Sequence, residues 1–156
     1  MNARPDIRLS RGEAWAALAE AHTGILASVR ADGTPVALPM WFVALDERLY
    51  VVTPEMTKKV ARIRQNPRVS FLIESGTLWT ELLGVQLNGD ARVVTDPGLV
   101  TRVREAMDRK YESFRTPPAD MPEGVRRHTD IPMAVIEITP DDRILTWDNS
   151  RLQMDG

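Results

Sequence analysis

The sequence predicts an α+β fold, an antiparallel sheet closed or half-closed into a barrel with helices inserted at its edges. Three observations carry this. Short runs rich in Val, Ile, Leu and aromatic residues recur along the chain, most of them bounded by Gly, Pro, Asn or Asp. Three other stretches repeat apolar residues at helical spacing behind a capping residue. The order is helix, three meandering strands, helix, two or three strands, helix, two strands, which favours antiparallel pairing over βαβ units.

The elements follow in order. "SRGEAWAALAEAH" opens with a capping box, Ser10 to Glu13, and Trp15 and Leu18 then recur at helical spacing, so residues 11–22 read as a helix. "GILASVRADGTPVALPMWFVAL" is two apolar runs around Asp32-Gly33, a hairpin signal. "DERLYVVT" follows a second tight turn as the third strand. A short helix over about 57–65 ends at Asn66-Pro67. "RVSFLIE" is a strand, and "GTLWTELLGVQLNGDARVVT" supplies one or two more, with Gly84 and Gly89 as bulge or kink points. "DPGLVTRVREAMDRKYESF" starts with Asp96 as N-cap and Pro97 behind it, and Leu99, Val103, Met107 and Tyr111 form its buried stripe. Residues 115–132, with four prolines, read as a long irregular loop, either a lid or disordered. "MAVIEIT" and "RILTWD" are two last strands joined at Pro140-Asp141-Asp142.

The totals exclude several functions. A chain of 156 residues fits a single domain, residues 1–156. Its formal net charge of −2 gives no global attraction to nucleic acid or anionic lipid. Without cysteine there is no disulfide, thiol nucleophile or thiolate metal site, which suits a cytoplasmic location. "MNARPDIRLSRGEAW" lacks the apolar run of a signal peptide, and no run approaches the length of a membrane span. His22 and His128 stand alone in sequence, so no metal site is expected. There is no G-x-S-x-G elbow, P-loop or G-x-G-x-x-G. The acids Asp46-Glu47 and Asp141-Asp142 sit in turns, where acids are ordinary.

Two stretches break local rules. In "VVTPEMTKKVARIRQNPRV", Thr57 reads as an N-cap followed at once by Lys58 and Lys59, where the helix dipole disfavours cations. From residue 55 to 68 five cations face one anion, a local excess of +4. Lys59 and Arg62 share a face, with Val60 and Ile63 turned to the core. A helix start with free N–H groups and lysines is a phosphate site. A solvated basic face accounts for the same residues, and a cap at Thr53 would move the lysines into the second turn. In "ALPMWF", Pro39 belongs at a sheet edge and leaves free backbone beside Trp41 and Phe42, suited to a flat heterocycle or to plain core packing. A redox cofactor that brings its own chemistry would need nothing further.

These blocks resemble the flavin-binding split-barrel superfamily of pyridoxamine 5'-phosphate oxidase-like proteins, and within it the small flavin- and deazaflavin-dependent reductases. The resemblance covers about Gly24 to Asp96, including "GILASVRADGTPVALPMWF", "LYVVTPEMTKKVARIRQNPRVSFLIE" and "LNGDARVVTD", and extends to "IEITPDDRILTWD". It implies a six-stranded split barrel and a homodimer with a cofactor at each of two interface sites. It places the cofactor phosphate on Thr53, Thr57, Lys58 and Lys59. The ring would lie along Pro39, Met40 and Trp41 with Val52 adjoining, and Glu81 and Trp147 are candidates from the second subunit. The arginine and lysine that true oxidases carry on the "PVALPMWF" strand are absent, as is their C-terminal Arg-x-His-x-Arg motif, so vitamin B6 oxidation is not expected. The implied cofactor is FMN, or alternatively the deazaflavin coenzyme F-420, whose acidic tail would meet Arg62, Arg64 or Arg126-Arg127. The implied function is hydride transfer to or from a small organic substrate. A non-catalytic flavin carrier or heme-binding protein is the alternative, with His22, His128, a tyrosine or a methionine as axial ligand. A nucleic-acid module ranks last, because no aromatics interleave the 58–68 cations.

Overall fold

The computed structural model describes residues 5–129 and 131–152. Helix α1, Arg11–Glu20, begins with the expected capping box: the Glu13 amide donates to Ser10 Oγ, and Glu13 Oε1 accepts from the Ser10 amide at 2.9 Å. It stops two residues short of the expected end, at the extended Ala21. Seven strands follow: β1 Gly24–Val29, β2 Pro35–Met40, β3 Val43–Leu45, β4 Arg48–Pro54, β5 Arg68–Ser75, β6 Leu83–Val93 and β7 Met133–Asp148. They form one antiparallel sheet in the order β2-β1-β5-β6-β7-β4-β3. Helix α2, Lys58–Gln65, lies between β4 and β5. Helices α3, Pro97–Tyr111, and α4, Glu123–Thr129, lie between β6 and β7.

The two edge strands, β2 and β3, are joined only by Trp41 and Phe42. Three Cα steps span at most about 11 Å. The sheet must therefore curl until its edges nearly meet, which makes the half-closed barrel. Its interior is the main core, where Leu26, Leu49, Val51, Phe71, Leu87 and Ile136 are buried, with Leu18 of α1 and Val60 and Ile63 of α2 packed against them. A second core forms outside the barrel, where Val103, Met107 and Tyr111 of α3 cover Val43, Tyr50 and Val135. Leu99 is packed at its margin. The remaining outer face has no such cover: the register aligns Pro39, Ile25, Leu72, Gln86 and Leu145 across five strands, and Ile25, Leu72 and Leu145 belong to neither core.

Several expectations are corrected. There are seven strands, not six, because the run 35–45 divides at Trp41-Phe42, where the chain changes pairing partner from β1 to β4. "MAVIEITPDDRILTWD" is one strand of 16 residues, not two joined by a turn. It bends instead of ending: Leu87 pairs with Ile144 and Gly89 with Pro140, so Asp141–Arg143 stand opposite the single residue Asn88 in a bulge. Gly89 permits this, since a Cβ there would lie 2.3 Å from the Thr139 carbonyl oxygen. Gly84 marks no bulge but makes room for the Trp147 ring on the neighbouring strand. The 115–132 segment is not wholly irregular, as it contains a 3-10 turn at Pro118–Asp120 and helix α4. Among the described residues no helix is long and apolar enough to cross a membrane.

Candidate cofactor site

The start of α2 is built as a cradle with unsatisfied donors. Thr57 is the N-cap residue, as expected from its position, but its side chain makes no capping bond. Its Oγ1 is buried with no hydrogen-bond partner among the described residues, a state shared only with Trp15 Nε1 of α1. The first amides of a helix have no intrahelical acceptor, and here no side chain supplies one. Lys58 is exposed beside them.

Lys59 and Arg62 turn inward from the same face. Lys59 Nζ donates to Oγ1 of Thr53 at 2.7 Å, and Thr53 is fully buried on β4. Arg62 Nε donates to Ser28 Oγ on β1 at 3.0 Å, leaving its two terminal nitrogens for another acceptor. Burial, and secondarily the Arg62 charge, lowers the Lys59 pKa. A bound anion would counter both causes, because it replaces lost hydration and offsets the neighbouring cation. The sequence placed Lys59 and Arg62 on one face but gave no hint of Ser28, an unmarked residue on a distant strand. The orphaned Thr57 hydroxyl, the free amides and the tethered cations fit a phosphate group.

The expected ring-side residues lie on the seam between the edge strands. Pro39 is on edge strand β2, paired with Ile25, where its missing N–H costs no ladder bond. Met40 ends that strand and is half-buried. Trp41 stacks on Tyr111 at 4.3 Å between centroids and 3° between planes, and His22 meets both rings edge-on. The Tyr111 hydroxyl accepts from the Phe42 amide at 2.9 Å and donates toward the His22 carbonyl at 2.7 Å. Lys110 Nζ donates to the Phe42 carbonyl at 2.8 Å and lies 4.1 Å from the centre of the Phe42 ring. Burial pulls the Lys110 pKa down to about 8. Trp41 and Val52 also line a cavity of about 450 Å³ together with Met107, Met121 and Met133.

Glu81 bonds within its own turn, and Trp147 lies far along β7 from the start of α2. Glu81 accepts from the Thr77 and Leu78 amides and so closes its own 3-10 turn, Trp79–Glu81, which leaves Trp79 exposed. Trp147 pairs with Gly84, thirteen residues along β7 from Ala134, the partner of Thr53. At about 3.3 Å per residue that separation is tens of ångströms, even allowing for the bend. Arg64 lies 3.9 Å from Glu55. Arg126 and Arg127 bond within their own segment, to the Ala119 carbonyl and to Glu123. The His128 side chain lies outside what the structure describes. Among the described residues no three His, Asp or Glu side chains converge to hold a metal ion.

The sequence profile of pyridoxamine 5'-phosphate oxidase matches residues 11–147. No curated protein matches the chain. Among solved structures, the chain is similar over its full length to the conserved hypothetical protein Rv2991 of Mycobacterium tuberculosis, with 28% identity, 95% of that chain covered and a TM-score of 0.81. A FAD-binding protein of Mesorhizobium loti is 20% identical over 88% of this chain and 94% of its own, with a TM-score of 0.66. HutZ, the heme storage protein of Vibrio cholerae, is 18% identical over 82% of this chain and 87% of its own, with a TM-score of 0.64. The last two similarities establish the shared fold and no more. The family match spans nearly every element just described, from α1 to the end of β7, and the chain belongs to the pyridoxamine 5'-phosphate oxidase family.

Proposed function

We propose that the protein is an oxidoreductase that holds FMN, or alternatively the deazaflavin F-420, and passes hydride between it and a small organic molecule. The observation that carries this is the buried Thr57 hydroxyl with no partner, set among free helix amides and three cations. In this reading Thr57, Lys58, Lys59 and Arg62 take the phosphate, and Thr53 fixes Lys59. Pro39, Met40, Trp41 and Val52 border the ring. The bound cofactor supplies the electron-transfer chemistry, and the protein supplies position and a dry surface. Arg62 takes the place of the strand arginine that true oxidases carry and this chain lacks.

The reading includes a homodimer. The uncovered stripe of Ile25, Leu72 and Leu145 is suited to a second copy. In this reading Trp147 serves the cofactor from the partner subunit, because it lies far along β7 from the residue that pairs with Thr53, and Glu81 is taken to do the same.

Reconstitution with FMN and with F-420 tests this directly. A tight complex with quenched cofactor fluorescence is expected for one of them. Lys58→Ala combined with Lys59→Ala is expected to weaken that complex at least about 30-fold, the loss of roughly 2 kcal/mol of charge-assisted hydrogen bonding, with the fold intact. Failure to bind either cofactor would sink the reading, and a Soret band on the purified protein would replace it with heme binding.

A further inference from the structure

The cavity beside Trp41 lies between α3 and the segment that leads to β7. Part of its wall is apolar, Trp41, Val52, Met107, Met121 and Met133, and the exposed side chains of Arg104, Asp108 and Arg115 complete it. Methionines adapt their shape to a bound molecule more readily than branched side chains. The Trp41 ring is held in place by its stack on Tyr111, so it presents a fixed flat surface. A volume of about 450 Å³ falls in the range of small-molecule sites and would accept a two-ring compound.

The charges at the cavity point one way. Arg104 lies on the lining, one turn of α3 before Asp108, where an i,i+4 ion pair would be expected. Asp108 instead bonds Arg115, which arrives from beyond the end of the helix at 2.5 Å. Arg104 is left with no carboxylate partner among the described residues. Two guanidinium groups and one carboxylate therefore stand beside the apolar part of the cavity, a local excess of positive charge in a chain whose formal net charge is −2. A guanidinium binds a carboxylate through two parallel N–H donors.

We propose that this cavity is the substrate chamber and that it selects flat, apolar carboxylates, with the ring system between Trp41 and the methionines and the acid group on Arg104. The proposal rests on the reading that the cofactor ring borders Pro39 to Trp41. It assigns Arg104 as the specificity-determining residue, a role independent of the phosphate cradle on α2.

The test is calorimetric titration of the cofactor-loaded protein with 2-naphthoate and with its neutral isostere 2-naphthamide. Naphthoate is expected to bind at least about tenfold more tightly than the amide, and Arg104→Gln to abolish that preference while leaving cofactor affinity unchanged. Equal binding of acid and amide overturns the proposal. So does a preference that survives Arg104→Gln, or a loaded protein that binds neither probe. Binding of naphthoate only to cofactor-free protein also overturns it, because the cavity would then be the slot of the cofactor ring itself. If no cofactor binds but an Arg104-dependent preference for naphthoate persists, the chamber stands and the oxidoreductase reading alone fails.

Discussion

Thr57 combines two properties that pull in opposite directions. Its hydroxyl is buried without a partner, which costs the folded protein about 1–3 kcal/mol. In the proposed function the same hydroxyl meets the cofactor phosphate. Thr57→Ala should therefore raise the thermal midpoint of the cofactor-free protein and at the same time weaken cofactor binding about tenfold or more. Thermal melts with and without cofactor would separate these opposite shifts. A merely structural threonine would shift both melts together. Lys110 offers a second check, through pH. Its pKa is about 8 when folded against 10.5 for a free lysine, so between these values the unfolded chain binds more protons than the folded one. Stability should rise as pH increases through that window, and Lys110→Met should flatten the rise. Urea unfolding at pH 7.5 and 9.5 measures both slopes. An equal slope in the variant would place the titration elsewhere.

At the scale of elements, two glycines of β6 do different work: Gly89 lies at the bend and Gly84 does not. A Cβ at Gly89 would first meet the Thr139 and Pro140 backbone, whereas one at Gly84 would first meet the Trp147 ring, a side chain that can shift. Gly89→Ala is expected to cost about 1–3 kcal/mol or more, and Gly84→Ala clearly less, in denaturant unfolding. The same region limited what the sequence could reveal. Pro140-Asp141-Asp142 has the composition of a turn, and only the register against Leu87 and Gly89 makes it a bulge. Caps were legible because their signal is local: Ser10, Thr57 and Asp96 all stand where the pattern put them. The buried stripe of α3 was legible by period, though Met107 proved to face a cavity as well as the core. Ser28, Arg104 and Met133 carried no signal, since their neighbours across the fold come from elements far apart in sequence. The Asp46-Glu47 turn has both residues at positive φ, 51° and 55°, without a glycine to relieve it. Arg102 and Arg11 bond the two carboxylates and help hold it.

For the whole molecule, the uncovered outer face is where the proposed homodimer would assemble. Leu145 is 47% exposed at one end of the apolar stripe. Leu145→Glu should convert a dimer to monomer in light scattering, and should weaken cofactor binding if the partner completes the site. A variant that stays dimeric would move the interface off this face. The sheet order also constrains how the chain is made. Strand β7 is the last element of the sheet, yet it sits inside it, between β6 and β4. Until it is in place, β2-β1-β5-β6 and the β3-β4 hairpin are separate pieces with a raw edge each. On the ribosome the barrel cannot close before β7 emerges, so the six strands made earlier must wait, unjoined, for its 16 residues. A stop codon shortly before Met133 would release two sticky half-sheets instead of a smaller version of the fold.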